Sequence, residues 1–208
     1  MSAVWGLPPA AAQRREAQRR LGRELTDRLA AVRLLVLDCD GILTDGSLHY
    51  GPDGEAVKVF DARDGLGLLM LGAAGVARAV LTGRTSPMVR RRCQDLRFEA
   101  IKMARFDKLE ALAEIWTETG CTAAVTLYMG DDLLDLPAIV AAGVGATVPA
   151  APAAVRDACQ IVTVAAGGRG AVREICDLLL MARGAQGTAL SRLIAAGHPA
   201  NFEPGKKP

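Results

Sequence analysis

The feature that most constrains this chain is an apolar run that ends in two carboxylates. Residues 34–37 read Leu-Leu-Val-Leu and are followed directly by Asp38, Cys39, Asp40 and Gly41. The aliphatic run predicts a buried strand, and Gly41 allows the backbone to turn sharply where the strand ends. Because side chains alternate along a strand, Asp38 and Asp40 are expected on one face. Two carboxylates this close repel unless a cation or a proton lies between them, so the motif indicates a magnesium and phosphate site, although Asp-Gly is also common in ordinary turns.

A second acidic cluster follows a later buried strand. That strand is predicted over residues 125–129, and Asp131, Asp132 and Asp135 come shortly after it. Clustered carboxylates destabilise a fold unless cations neutralise them. The cluster is therefore a second signal for metal ligands.

Phosphate-binding features lie between the two acidic clusters. A strand predicted over residues 76–81 ends in Thr82, Gly83 and Arg84, just before a helix start. A hydroxyl, backbone donors and a helix N-terminus together suit a phosphate, although an ordinary helix cap has the same pattern. Lys108 begins another amphipathic helix, where its positive charge is unfavourable beside the positive end of the helix dipole. A residue that destabilises its own helix in this way often has a functional role.

The alternation of strands and helices predicts an α/β fold, with a parallel sheet and helices on both faces. Ligands bind such sheets at the carboxyl ends of the strands, which is where Asp38, Asp40, Thr82 and Asp131 are all expected. Two extended segments around a Pro-Asp-Gly turn predict a β-hairpin insert over residues 46–60. We expect this hairpin to cover the site or to pair with another subunit.

Composition indicates one aliphatic domain with additional segments at its ends. The chain has 208 residues, half of them hydrophobic, and a net charge of +2. This balance predicts no general attraction to nucleic acid, and no charge-free run reaches membrane-spanning length. The five cysteines are scattered and odd in number, which predicts reduced thiols in the cytoplasm.

The ends of the chain differ from its centre in character. We predict a basic N-terminal extension over residues 1–25, a single α/β domain over 26–182 and a flexible tail over 183–208. The charged pattern over residues 11–31 predicts one helix with a narrow apolar stripe and a solvated basic face.

The order of the motifs along the chain is itself informative. Asp-x-Asp-Gly-x-x-Thr is followed by a threonine that ends a strand, then a lysine, then Gly-Asp-Asp-x-x-Asp. This set resembles the haloacid dehalogenase superfamily. Two further motifs are similar to one branch of this superfamily, the 3-deoxy-D-manno-octulosonate (KDO) 8-phosphate phosphatases and their sialic-acid-pathway relatives. These motifs are Arg-Asp-Gly at residues 63–65 and Gly-Gly-Arg-Gly-Ala-Val-Arg-Glu at residues 167–174. The resemblance covers most of the chain.

The resemblance implies a Rossmann-like core without a large cap domain, and an enzyme of lipopolysaccharide biosynthesis. Its reaction would be the Mg²⁺-dependent hydrolysis of an acidic sugar phosphate, KDO 8-phosphate, through an aspartyl-phosphate. Asp38 would be the nucleophile, and Asp40 would act as general acid and then base. Mg²⁺ would be held by the carboxylates of Asp38 and Asp131 and by the backbone carbonyl of Asp40.

The same resemblance implies roles for the remaining polar residues. Thr82, Gly83 and Lys108 would bind the phosphoryl group, while Asp132 and Asp135 would orient metal-bound water or Lys108.

A substrate carboxylate and a subunit assembly are implied as well. Arg63, Arg84 and Arg169 are candidate ligands for that carboxylate, for which a guanidinium fork is suited. The branch implies a homotetramer in which the hairpins assemble and the Gly-Gly-Arg-Gly turn reaches a neighbour's site. The chain departs from the branch at residues 102–106, where a Gln-Gly turn is usual, and near residues 149–151.

Two alternatives stay open at this point. The substrate could be a nine-carbon nonulosonate such as N-acylneuraminate 9-phosphate. The chain could instead be a catalytically quiet oligomerisation or regulatory module with the same fold. The intact set of chemical residues argues against the quiet module, which needs none of them; these are Asp38, Asp40, Thr82, Lys108 and Asp131.

Overall fold

The structure, a computed structural model, describes residues 5–197 of the chain. The strands are β1 (Leu34–Leu37), β2 (His49–Gly51), β3 (Gly54–Val57), β4 (Ala77–Leu81), β5 (Ala100–Lys102), β6 (Thr126–Met129), β7 (Val144–Thr147) and β8 (Ile161–Val162). The helices are α1 (Ala10–Leu21), α2 (Arg23–Ala31), α3 (Ala62–Ala73), α4 (Pro87–Asp95), α5 (Lys108–Thr119), α6 (Leu136–Ala141), α7 (Ala153–Ala158), α8 (Ala171–Arg183) and α9 (Gln186–Ala196).

Six of the strands form one parallel sheet in the order β5-β4-β1-β6-β7-β8. All four residues of β1 are buried, as expected for a central strand with helices on both of its faces. Because β1 lies between β4 and β6, the segments that follow these three strands meet at one edge of the sheet. The predicted α/β fold with a parallel sheet is therefore confirmed.

The helices form two packed groups around the sheet. α8 packs against α1, α2 and α3, and α3 also packs against α9. The second group contains α5, α6 and α7, in which α6 contacts both α5 and α7, and it packs on strands β4, β5, β6 and β7. Among residues 5–197, none of these helices is both long enough and apolar enough to cross a membrane.

The predicted hairpin insert is present and lies outside the main sheet. β2 and β3 pair in an antiparallel ladder that is irregular between His49 and Tyr50. The segment connects β1 to α3, so it follows directly after the loop that carries the first two carboxylates.

The prediction of one helix over residues 11–31 is wrong. The structure has two helices, α1 and α2, which are separated at Gly22. Gly22 has a φ of 79°, which ends α1 because an L side chain rarely adopts that backbone conformation. The two helices are not wholly solvated, because Ala17 and Leu29 are fully buried and pack in the core.

The prediction of a flexible tail from residue 183 is wrong for the segment Gln186–Ala196, which forms α9. Ala189 is buried, Leu190 and Leu193 pack beside it, and Arg192 Nη1 donates a 2.7 Å hydrogen bond to the carbonyl of Ala73 at the end of α3. The apolar face of α9 therefore docks the helix on the core, although many of its residues are small or polar. Residues 198–208 of the predicted tail lie outside the described residues, and the division at residues 25 and 182 stays a prediction.

Two aspartate substitutions on α9 test whether this helix is docked on the protein. Ala189→Asp buries an unpaired charge, so we expect it to lower the free energy of unfolding by about 2–4 kcal/mol. Ala195→Asp makes the same chemical change at an exposed position of the same helix, and we expect less than about 1 kcal/mol. Urea unfolding measures both, and equal effects of the two substitutions would contradict the docked arrangement.

Candidate active site

A buried ion pair lies where β1 and β4 end. Lys108 Nζ donates hydrogen bonds to Asp38 Oδ1 at 2.8 Å and to the carbonyl of Leu81 at 2.9 Å. Lys108 is only 4% exposed, although it is the first residue of α5. The backbone N–H of Asp38 donates to the carbonyl of Met129 and so extends the pairing of β1 with β6. The structure thus brings the predicted nucleophile and the predicted lysine into direct contact.

Asp135 fixes the other side of this lysine. Its Oδ1 accepts a 2.7 Å hydrogen bond from the Tyr128 hydroxyl and lies 3.1 Å from Lys108 Nζ. Its Oδ2 accepts from the backbone N–H groups of Asp131 and Asp132 at 3.1 and 3.2 Å. Asp135 therefore orients Lys108 and holds the loop after β6 in place.

Asp132 does not share this arrangement, although both residues were assigned the same role from the sequence. Asp132 is exposed, and its Oδ1 accepts a 2.7 Å hydrogen bond from the backbone N–H of Leu133. Its carboxylate caps the short 3₁₀ turn Leu133–Asp135. Asp135 thus contacts Lys108, whereas the carboxylate of Asp132 accepts a hydrogen bond from a backbone N–H group.

Three carboxylates gather at this edge of the sheet. Oxygen atoms of Asp38, Asp131 and Asp135 all lie within 4.8 Å of one another. Burial, with the charge of Asp135, raises the pKa of Asp38 to about 6 even though Lys108 opposes the shift. Burial, with the charges of Asp38 and Asp135, raises the pKa of Asp131 to about 7.

Three carboxylates meet one lysine here, so the lysine alone does not balance their charge when all three are ionised. A set of hard carboxylate oxygens with excess negative charge suits a divalent cation such as Mg²⁺. The oxygens of Asp135 are already engaged by Tyr128, Lys108 and backbone donors. Asp38 and Asp131 are therefore the two carboxylates that fit a cation best.

Gly41 is required by the closeness of Asp131. Its φ is 89°, and a Cβ at this position would lie only 2.5 Å from Asp131 Cγ and would overlap the carboxylate. The glycine of Asp-x-Asp-Gly thus makes room for a side chain that comes from the second acidic cluster.

The turn at residues 167–168 packs on the same loop. Gly168 N donates a 2.9 Å hydrogen bond to the carbonyl of Ile42, and a Cβ on Gly167 would lie 2.5 Å from the carbonyl carbon of Gly41. The turn that the resemblance directs toward a neighbouring subunit thus contacts the loop of its own chain.

Thr82 and Gly83 lie at the carboxyl end of β4, as predicted. Thr82 is buried, its backbone N–H donates to the carbonyl of Lys102, and its Oγ1 accepts a 3.4 Å hydrogen bond from the backbone N–H of Arg84. A Cβ on Gly83 would lie 3.6 Å from the ring of Phe106, so that ring covers one side of the turn. Residues 102–106, where the chain departs from the family pattern, therefore form the wall beside the predicted phosphate-binding turn.

Asp40 faces the hairpin. Its Oδ1 accepts a hydrogen bond from Lys58 Nζ, which also lies 3.0 Å from Glu55 Oε1. Its Oδ2 lies 3.8 Å from Nε of Arg84, whose Nη2 donates a 2.7 Å hydrogen bond to the Tyr50 hydroxyl. Asp40 is therefore held in a charged network of its own, built by the hairpin and the loop after β4.

The other two candidate arginines lie elsewhere. Arg63 is paired with Asp61 at 2.6 Å and donates a 3.0 Å hydrogen bond to the carbonyl of Arg169. Arg169 Nη2 lies 3.2 Å from Asp45 Oδ2. The structure brings Arg84 to Asp40, whereas Arg63 and Arg169 contact each other beside the loop after β1.

Sequence reasoning missed Lys58, Glu55 and Tyr128. Lys58 is flanked by two valines in an extended segment, and this alternation signals that the lysine and the valines face opposite ways. Tyr128 is a polar-tipped side chain within a buried strand, and a buried hydroxyl needs a partner. Glu55 carries no comparable signal, because an exposed hairpin often bears a glutamate.

The chain is similar to phosphatases of one kind. It is 42% identical over 146 residues to 3-deoxy-D-manno-octulosonate 8-phosphate phosphatase of Haemophilus influenzae, covering 70% of this chain and 81% of that protein. The cobalt-bound structure of the phosphatase from that organism matches with a TM-score of 0.75 and 43% identity, over 76% of this chain and 93% of that chain. The Moraxella catarrhalis phosphatase, in complex with magnesium ion, phosphate ion and KDO, matches with a TM-score of 0.77 and 37% identity, over 84% of this chain and 98% of that chain. No family model matches the chain.

Gly41→Ala tests the link between the first loop and the second acidic cluster. We expect the substitution to lower the affinity for Mg²⁺ by about 10-fold or more, because the new methyl group displaces Asp131. Gly46→Ala is the matched control, since Gly46 also has a positive φ, of 80°, but a Cβ there would meet no atom closer than 3.6 Å. Calorimetric titration with Mg²⁺ measures both variants, and an equal loss in the two would show that backbone strain alone is responsible.

Proposed function

The chain belongs to the 3-deoxy-D-manno-octulosonate 8-phosphate phosphatase family of the haloacid dehalogenase superfamily, and on that premise we propose that it hydrolyses KDO 8-phosphate to KDO and phosphate in a Mg²⁺-dependent reaction. The observation that carries the proposal is the buried cluster in which Lys108 contacts Asp38 and Asp131 lies close by. Relatives named for this activity, one of them bound to KDO, support the choice of substrate.

The first step is transfer of the phosphoryl group to Asp38. Lys108 occupies Oδ1 of Asp38, so Oδ2 is the oxygen available to attack phosphorus. As the new oxygen–phosphorus bond forms, the bond between phosphorus and the sugar oxygen breaks, and Asp40 gives its proton to that oxygen. KDO leaves with this proton, and Asp38 carries the phosphoryl group.

The second step returns the site to its starting state. Asp40, now a carboxylate, takes a proton from water, and the water oxygen attacks phosphorus. The bond between phosphorus and Asp38 breaks, inorganic phosphate forms, and Asp40 is protonated again. One pair of carboxylates therefore serves both half-reactions.

The surrounding residues bind and neutralise charge. The carboxylates of Asp38 and Asp131 and the backbone carbonyl of Asp40 would hold Mg²⁺, which would supply positive charge beside the transferring group. Thr82, Gly83 and Lys108 bind the phosphoryl oxygens through a hydroxyl, a backbone N–H and an ammonium.

The substrate carboxylate needs a cationic partner outside this cluster. Arg63, Arg84 and Arg169 are the candidates, and the position of Arg84 beside Asp40 supports it as the nearest to the departing sugar oxygen. Asp135 positions Lys108, while the capping contact of Asp132 supports a role in holding the loop that bears Asp131.

Phosphate release from a panel of sugar phosphates tests the function. We expect Mg²⁺-dependent release from KDO 8-phosphate, slower release from N-acylneuraminate 9-phosphate and little from glucose 6-phosphate. Asp38→Asn removes the nucleophile and should lower kcat by about 10³-fold or more. Asp157→Asn, which makes the same change at an exposed position on α7, should leave kcat unchanged.

Three outcomes of that experiment would overturn parts of the proposal. Equal release without Mg²⁺, or from Asp38→Asn, would contradict the mechanism. Faster release from the nine-carbon substrate would correct the substrate. A folded protein that releases phosphate from no member of the panel would favour the quiet module.

We also propose that the protein is a cytoplasmic homotetramer joined through its hairpins. Apolar side chains on the hairpin and the segment after it are exposed in the single chain, and exposed strands invite partners. They are Leu48, Tyr50, Val57 and Val59. The family resemblance supports four subunits, and five free cysteines support a reducing compartment.

A charged residue on the hairpin tests the assembly. Val57→Lys should shift the mass measured by light scattering from four subunits toward one, because it places a charge in the proposed interface. Val164→Lys is the control, since Val164 is 90% exposed and lies in the segment after β8, which is not part of the hairpin. An unchanged mass for Val57→Lys, or the same shift in both variants, would count against the hairpin interface.

A further inference from the structure

Lys58 is buried in a place where a lysine is costly. Its side chain is 1% exposed, although it lies just after β3 in a hairpin whose apolar residues face outward. Val57 and Val59, on either side of it, are 49% and 52% exposed. Lysine is almost never fully buried unless it is paired, so this inverted pattern needs a reason.

The partners of Lys58 supply that reason. Its ammonium donates a hydrogen bond to Asp40 Oδ1 and lies 3.0 Å from Glu55 Oε1. Glu55 Oε1 also lies 3.8 Å from Nη2 of Arg84, and Arg84 Nε lies 3.8 Å from the second oxygen of Asp40. Asp40, Lys58, Glu55 and Arg84 thus form a closed ring of contacts, in which one oxygen of Asp40 is held more closely than the other.

We propose that Lys58 is a positioning residue for Asp40, and that it fixes Oδ1 so that Oδ2 exchanges the proton with the sugar oxygen and with water. This inference rests on the proposed function, because it takes Asp40 as the general acid and base. The ammonium of Lys58 contacts Asp40 and Glu55, whereas the lysine that contacts Asp38 is Lys108, so Lys58 is assigned to Asp40. Glu55 also contacts Lys58 and so helps to hold its ammonium in place.

The proposal predicts different effects on the reaction rate for two kinds of leaving group. A sugar alkoxide must be protonated as it leaves, whereas p-nitrophenolate leaves without a proton. A misplaced Asp40 should therefore slow the first step with KDO 8-phosphate and spare the first step with p-nitrophenyl phosphate. A general loss of structure, or of phosphate binding, would slow both substrates alike.

The experiment is a single-turnover measurement with the full chain in excess over substrate at saturating Mg²⁺. Lys58→Met should slow KDO formation by about 10²-fold, with the half-saturating enzyme concentration unchanged within about 3-fold. Formation of p-nitrophenolate should slow by less than about 5-fold. Lys58→Gln keeps an N–H donor of similar length and should recover part of the lost rate.

Two reference variants make the result decisive. Arg20→Met removes a paired cation on α1, whose guanidinium contacts Glu16, and should leave both rates unchanged. Asp40→Asn should show the largest difference between the two substrates, with KDO formation slowed far more than p-nitrophenolate formation. If it does not, the proposed role of Asp40 fails and the inference about Lys58 fails with it.

The inference alone fails if Asp40→Asn discriminates between the leaving groups and Lys58→Met does not. It also fails if Lys58→Met slows both substrates equally or changes only the half-saturating concentration. Thermal unfolding followed by circular dichroism establishes that each variant is folded. If Lys58→Met does not fold, then Lys58→Gln and Glu55→Gln must show the same discrimination in weaker form, and equal slowing of both substrates in those variants would refute it.

Discussion

The contact between the Lys108 ammonium and Asp38 is the interaction on which the rest of the site depends. Burial alone would lower the pKa of Lys108, but Asp38 and Asp135 outweigh burial and hold that pKa above its usual value. The lysine therefore remains charged in a nearly dry position and offsets part of the repulsion among the carboxylates. Tyr128 and two backbone N–H groups complete the coordination of Asp135, so the lysine is held in one orientation. The negative charge that is left over is what makes the edge of the sheet suitable for a divalent cation.

Close packing of other atoms, in addition to turn geometry, explains the glycines of these motifs. At Gly41 the atom in the way of a side chain belongs to Asp131, and at Gly167 it belongs to Gly41 itself. At Gly130 a Cβ would lie 2.5 Å from Cβ of Asp135. At each of these positions, a side chain is excluded by atoms of another segment of the chain or by a nearby carboxylate side chain. We therefore expect a substitution in one motif to displace residues of another.

A structural feature could be predicted from the sequence when neighbouring residues determine it, and could not when it depends on contacts between distant segments. The positions of Asp38, Thr82 and Asp131 follow from where apolar strands end, because parallel strands bring those ends to one edge. The break at Gly22 had a local signal, because glycine commonly ends a helix. The docking of α9 depends on which surface a weakly apolar helix finds, which no local pattern specifies. Likewise, the partners of Asp135 become visible only when β6 and α5 are adjacent. The fold and the acids were therefore predictable, and the contacts that orient them were not.

The turn at Gly167 and Gly168 also has a consequence for the order of synthesis. These residues leave the ribosome after every carboxylate of the cluster and after Lys108, yet they form the surface against which Gly41 and Ile42 rest. A nascent chain that has produced β1 through β7 already contains all the groups that would bind and transfer a phosphoryl group. It still lacks the backbone that holds the first loop and the helix α8 that packs on α1, α2 and α3. The loop after β1 therefore gains its final support late in synthesis, when the segment after β8 packs against it.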